Sequence, residues 1–150
     1  MTDIQLQELE VTNFRSIKGL VHAPLDAKVV LVHGENGSGK TSLLAAIEMA
    51  LTGLVASLRR ADPSYRAQLL HRAAEGGQIE LCTHGLPDTN HFKTLLTKTG
   101  IEQIGTLPAG VASFFSERCY LPQSLLGQLL QIYQDSDSAP DSPLSRFVSE

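Results

Sequence analysis

The stretch "VLVHGENGSGKTSLLAAIEMA" (residues 30–50) joins an apolar run, a glycine-rich octet and a second apolar run. Its first part extends back to Ala27. "AKVVLVHG" (27–34) is β-branched and apolar with no polar alternation, the pattern of a strand covered on both faces. The second part predicts a helix from Lys40 to about Leu51, with Gly53 where a helix stops. Leu43, Leu44, Ile47, Met49, Ala50 and Leu51 point nearly all round that helix, which predicts that it is buried. Between the two lies "GENGSGKT" (34–41), which satisfies G-x-x-x-x-G-K-[ST] in the strand-to-helix setting that a phosphate-binding loop requires.

The residue types follow from the chemistry. Glycines let consecutive backbone N–H groups turn inward toward a polyphosphate. The helix beginning at Lys40 adds the positive end of its dipole. Lys40 can reach the β- and γ-phosphates, and the Thr41 hydroxyl can ligate Mg²⁺. A chance match in a chain of this length is roughly half a percent, so the octet is read as a nucleotide-phosphate site. The chain has neither the N-K-x-D nor the D-x-x-G segment of guanine-specific proteins.

Outward from the loop, "IQLQELEVTNF" (4–14) reads as a first strand with imperfect alternation, and "GLVHAPL" (19–25) as its hairpin partner. Asp62 and Pro63 look like the cap and first turn of a helix over 63–74. "GGQIELCTH" (76–84) and "NHFKTLLTKTG" (90–100) flank the turn "GLPDTN" and predict a second hairpin. A short helix over 108–118, a short strand over 119–123 and a helix over 124–133 complete the reading. Residues 1–134 form the expected domain. The Ser/Asp/Pro-rich segment 135–150 leads into the start of a helix, from which we expect a piece of a longer chain.

At 42% apolar and 19% charged residues, with a net charge of −4, the composition is that of a globular domain without a global basic surface. The N-terminus lacks a secretory pattern and no window is apolar enough for a membrane span, so a cytoplasmic location is expected. Cys82 and Cys119 are expected to be buried, reduced thiols. Together with His84 and His91 they fit the spacing of no common zinc module. The basic stretch "RRADPSYRAQLLHR" (59–72) makes Arg59 and Arg60, with Lys93 and Lys98 behind them, the candidate DNA-facing residues.

Three segments, "LEVTNFRSIKGL" (9–20), "GENGSGKTSLLAAIEMALTG" (34–53) and "YLPQSLLGQLL" (120–130), together resemble the N-terminal lobe of the SMC, RecF and SbcC-like (ABC-type) ATPase heads. The resemblance implies an α/β P-loop fold with an antiparallel β-subdomain, truncated to half a head. It implies ATP and Mg²⁺ as cofactors. Arg15 would lie against the nucleotide, and Gly34, Asn36, Gly37, Ser38, Gly39, Lys40, Thr41 and Ser42 would form the phosphate cradle. Gln123 would be the Q-loop residue that touches Mg²⁺ and the hydrolytic water, acting in catalysis with Lys40. Walker B and signature segments are absent from these 150 residues. In such proteins they lie in a C-terminal lobe, so this chain alone is expected to bind nucleotide and scarcely hydrolyse it. The implied partners are that C-terminal lobe, a second head carrying the signature loop, and DNA; a nuclease subunit stays open. Two other readings remain: a stand-alone nucleotide-binding regulatory or interaction module, and a small P-loop kinase.

Overall fold

In the computed structural model, residues 4–121 and 126–127 are described. The chain divides into two units, one ending at Ser113 and one beginning at Phe114. Among the described residues of the first unit, a five-stranded antiparallel sheet has the order β2-β1-β3-β4-β5. Its strands are β1 (Gln5–Thr12), β2 (Leu20–Pro24), β3 (Gly76–His84), β4 (His91–Thr97) and β5 (Ile101–Ile104). Helix α1 (Lys40–Thr52) packs against β1, β3 and β4.

Strand alternation divides the sheet into two faces. Leu9, Val11, Ile79, Leu81, Phe92 and Leu96 are buried on one face of the sheet, and Leu43, Ala46, Met49 and Ala50 are buried on the helix that packs against it. Each large side chain so buried contributes about 1.5–3 kcal/mol. The imperfect alternation of the first strand is a bulge. The β1–β3 register shifts between Leu6 and Glu8, which places Leu6 opposite Thr83, on the face that Leu9 and Val11 share.

The end of α1 follows its sequence. Gly53 adopts φ 72° and returns its N–H to the Met49 carbonyl at 2.8 Å, the left-handed stop only glycine takes without strain. Gln103 fastens the same end from β5, donating to the carbonyls of Ala50 (2.9 Å) and Gly105 (3.0 Å) while accepting from Thr94 Oγ1 (2.7 Å). Within α1, Leu44 is exposed while Leu43, Met49, Ala50 and Leu51 are buried.

Four expectations need correction. The predicted strand 27–34 pairs with no strand among the described residues. Val29, Val30, Leu31 and Val32 are 83, 42, 82 and 40% exposed, so a sequence written for burial on both faces stands uncovered. The predicted helix 63–74 is only a tight helical turn, Tyr65–Gln68, preceded by α2 (Ala56–Ala61). Backbone competition explains this: Arg15 N–H bonds Leu69 O at 2.8 Å and His71 N–H bonds Asn13 O at 2.9 Å, pulling 69–71 alongside the first turn. The run 90–100 breaks into β4 and a tight turn leading to β5, because Thr97 binds Gly100 through both backbone and side chain. The helix 108–118 is α3 (Ala109–Phe114) followed by a π turn, Phe115–Cys119, so Cys119 belongs to that turn and not to a strand. Tyr120 N–H closes that turn on Phe115 O at 2.9 Å, and the two rings stack with centroids 6.0 Å apart. The rest of the predicted strand 119–123, nearly all of helix 124–133 and the segment 135–150 lie outside the described residues.

Candidate nucleotide-binding site

The site is built from two turns that meet at the amino end of α1. The first is the octet. Gly39 is the residue before the helix, at φ 96°, and no side chain caps the helix there. The first-turn N–H groups of α1 are therefore available to an anion, with the helix dipole behind them. Lys40 curls over the loop: its ammonium donates to the carbonyls of Gly34 (2.7 Å) and Glu35 (2.6 Å) and approaches Ser38 Oγ at 3.5 Å. A positive charge thus stands over glycine-rich backbone. Gly34, Glu35, Asn36, Gly37 and Ser38 are exposed, as is Thr41.

The second turn, 13–19, joins β1 to β2. Asn13 organises it by accepting from Gly19 N–H (2.8 Å) and donating to Gly76 O (3.1 Å) through its amide. Phe14 and Ile17 are buried as anchors, which leaves Arg15 between them at φ 54°. A non-glycine residue at that φ costs about 1 kcal/mol and calls for a reason. The two turns touch: Ser16 and Ser42 hydroxyls are 2.8 Å apart, and a Cβ on Gly39 would come within 3.1 Å of Ile17 Cγ1. Ser42 is buried by this contact.

An open cleft of about 850 Å³ borders the junction, lined by Arg15, Ser16, Ser42, His71, Arg72 and Lys98 among others. Its cationic lining suits an anionic ligand. Sequence reading found Arg15 and Ser42 but missed Ser16, His71 and Arg72 as neighbours. The adjacency of Ser16 to Arg15 was the one available signal; the others arrive through the 69–71 pairing. Gln123 lies outside the described residues.

Other candidates sort by charge. Arg59 and Arg60 are exposed on α2. Lys93 instead binds Glu80 at 2.6 Å, and that hydrogen bond holds the Glu80 carboxyl below its usual range, while Lys98 pairs with Glu75. Cys82 is half-buried opposite His91, and burial followed by the charges of Glu8, Glu80 and Glu10 raises its thiol pKa. Cys119 is exposed, contrary to the expectation of two buried thiols, and belongs to the other unit.

Glu48 on α1 is buried. Its Oε1 accepts the Ala56 N–H at the start of α2 (3.0 Å), and its Oε2 has no hydrogen-bond partner among the described residues. Burial raises its pKa above the ordinary 4.5, against the opposing effects of the Ala56 bond and Arg60.

A glycine octet opening a helix that packs against an antiparallel sheet is the arrangement of a P-loop lobe. Residues 8–101 match the AAA domain family model (AAA_23), and the chain belongs to that family. It is similar to the DNA replication and repair protein RecF of Deinococcus deserti, 34% identical over 114 residues that cover 73% of this chain and 31% of that protein. RecF of Chlorobium phaeobacteroides is 50% identical over 44 residues, 29% of this chain and 12% of that protein. The chain therefore spans less than a third of these curated relatives. Among solved structures, one described as "Structural biochemistry of ATP-driven dimerization and DNA stimulated activation of SMC ATPases" aligns with TM-score 0.62 at 18% identity, covering 96% of each chain. The recombination mediator RecF-ATP aligns with TM-score 0.55 at 23% identity, over 70% of this chain and 28% of that one. Among the described residues no helix is long and apolar enough to cross a membrane.

Proposed function

We propose that this chain is the ATP-binding lobe of an SMC/RecF-like ATPase, in which engagement of two heads around ATP is coupled to DNA binding or processing. The observation that carries the reading is the uncapped amino end of α1, with Lys40 poised over the loop and Arg15 one turn away. Lys40 exchanges its loop carbonyls for β- and γ-phosphate oxygens, and the first-turn N–H groups hold the phosphates. Thr41 is assigned to Mg²⁺, which when bound would offset charge on the transferring phosphoryl group. Arg15 faces the remaining negative charge from the cleft, and Gln123 is the residue assigned to the metal and the attacking water. Val29, Val30, Leu31 and Val32, exposed although written for burial, support a second lobe that covers this run and also brings the catalytic acid.

The RecF relatives favour DNA repair among the processes such heads serve, with chromosome maintenance and defence against phage or plasmids as the others. A second head supplying the signature loop and a cytoplasmic location belong to the same reading. Calorimetric titration with Mg-ATP tests it: stoichiometric binding lost in Lys40→Ala supports it, and absent or unaltered binding contradicts it. The DNA-facing assignment is separate. Arg59→Glu with Arg60→Glu in the intact protein should flatten the salt dependence of DNA binding, and an unchanged slope removes these residues from the interface.

A further inference from the structure

The outer face of the sheet carries a group that the nucleotide site does not use. Glu8 and Glu10 alternate along β1 on the side opposite Leu9 and Val11, and His22 stands directly across from Glu10 on β2. One ligand atom from each of Glu8, Glu10 and His22 lies within 4.8 Å of the others. His22 already touches Glu8 through Nε2. On the other side of β1, Glu10 sits directly opposite Glu80, and Glu8 opposite Cys82.

Acidic crowding of this kind is unfavourable between adjacent strands. Glu80 is offset by Lys93 at 2.6 Å and His91 at 3.8 Å. Glu8 is offset by His22. Glu10 stands between them and, among the described residues, no ion pair or hydrogen bond reaches its carboxylate. The donor set separates the group from a merely acidic patch. Two carboxylates and an imidazole, fixed by strand register, are the mixed oxygen and nitrogen ligands that borderline divalent cations take. Tetrahedral coordination at about 2.0–2.2 Å places ligand atoms roughly 3.4 Å apart, and a small rotation of exposed side chains closes the gap.

We propose that Glu8, Glu10 and His22 form a zinc site, with solvent in the fourth position, that staples β1 to β2. The staple has a location that matters. Glu10 and His22 are two positions from Thr12 and Leu20, the last pair before the turn that presents Arg15, and β2 leads onward to the phosphate loop. Holding the hairpin closed holds that turn against Gly39 and Ser42.

The test is titration of the 150-residue chain with Zn²⁺ in the presence of a chromophoric competitor chelator, without nucleotide, so that it stands apart from the ATP reading. One Zn²⁺ should bind per chain with a Kd in the micromolar range or below. His22→Ala and Glu10→Gln should each weaken it at least tenfold, and Glu8→Gln similarly, while Lys40→Ala and Cys82→Ser leave it unchanged. The Glu8, Glu10 and His22 side chains lie on the sheet's outer face, and thermal unfolding without metal checks that each variant is folded. Added Zn²⁺ should raise the wild-type midpoint and leave the His22→Ala midpoint where it is. Wild-type binding no tighter than about 100 μM, unaltered affinity in His22→Ala and Glu10→Gln, or loss confined to Cys82→Ser overturns the assignment.

Discussion

Replacing Lys40 with alanine separates binding from folding, because among the described residues its ammonium hydrogen-bonds only the loop that it serves. It donates to Gly34 O at 2.7 Å and Glu35 O at 2.6 Å, both exposed carbonyls that water reaches once the side chain is gone. The stability cost is therefore small, about 1 kcal/mol, or a few degrees in thermal midpoint. The binding cost is larger. Two charge-assisted hydrogen bonds to phosphate oxygens at about 2 kcal/mol each give roughly 4 kcal/mol. Leaving the loop carbonyls offsets about 1 kcal/mol, so Mg-ATP affinity should fall on the order of 150-fold. Calorimetry measures the affinity and circular dichroism melting the fold. Affinity within threefold of wild type, in a variant that melts normally, would show that Lys40 does not meet the phosphates.

Three further outcomes follow from the same structure. Gly39→Ala puts a Cβ at φ 96° within 3.1 Å of Ile17 Cγ1, so melting should drop by several degrees, at a cost of about 1–2 kcal/mol. Mg-ATP affinity should fall with it, and an unaffected variant would mean that the two turns are not tightly packed. Gln103→Leu removes the donor to Ala50 O at the end of α1, the donor to Gly105 O and the acceptor of buried Thr94; it should cost about 2 kcal/mol, roughly 4–8 °C by thermal denaturation, and a shift below 2 °C refutes the clamp. Glu48 has a pKa raised above 4.5 in the folded chain by burial, so the native state keeps its proton where the unfolded state has lost it. Its stability is full below the ordinary carboxyl range and declines as pH rises through the folded pKa. Glu48→Gln keeps an oxygen for Ala56 N–H and should therefore melt higher than wild type at pH 8 but not at pH 4; equal midpoints at both would remove the buried charge from the account.

Much of this was legible in the residues. The octet, the helix after it and its glycine stop are local chemistry, and they stand where the spacing puts them. The β1–β2 and β3–β4 hairpins were visible as runs about turn residues, the β4–β5 hairpin was not, and the irregular alternation of β1 is its bulge. What escaped depended on distant partners. Asp62-Pro63 reads as a helix start, but Asp62 instead ends α2. Its carboxylate takes Ser64 N–H at 2.8 Å and Gln68 Nε2 at 2.8 Å, while Ser64 precedes the 65–68 turn without a side-chain cap. These hydrogen bonds, the Ser64 hydroxyl's first, also lower the pKa of Asp62. The helix then ends after one turn because Asn13 and Arg15 claim the backbone of 69–71. Cross-strand register likewise brings Glu8, Glu10 and His22 together across fourteen residues of sequence, where no linear spacing rule signals a ligand set. The apolar run 27–34 carries the opposite lesson: its composition describes neighbours that the described residues do not supply.

The most direct test is to incubate the purified chain with Mg-ATP and measure bound nucleotide and released phosphate in one sample. The account predicts stoichiometric binding with less than one turnover per chain, since in the proposed reading a second lobe brings the catalytic acid. Repeated turnover that Lys40→Ala abolishes would contradict it, because the chain would then hold a complete ATPase site of its own.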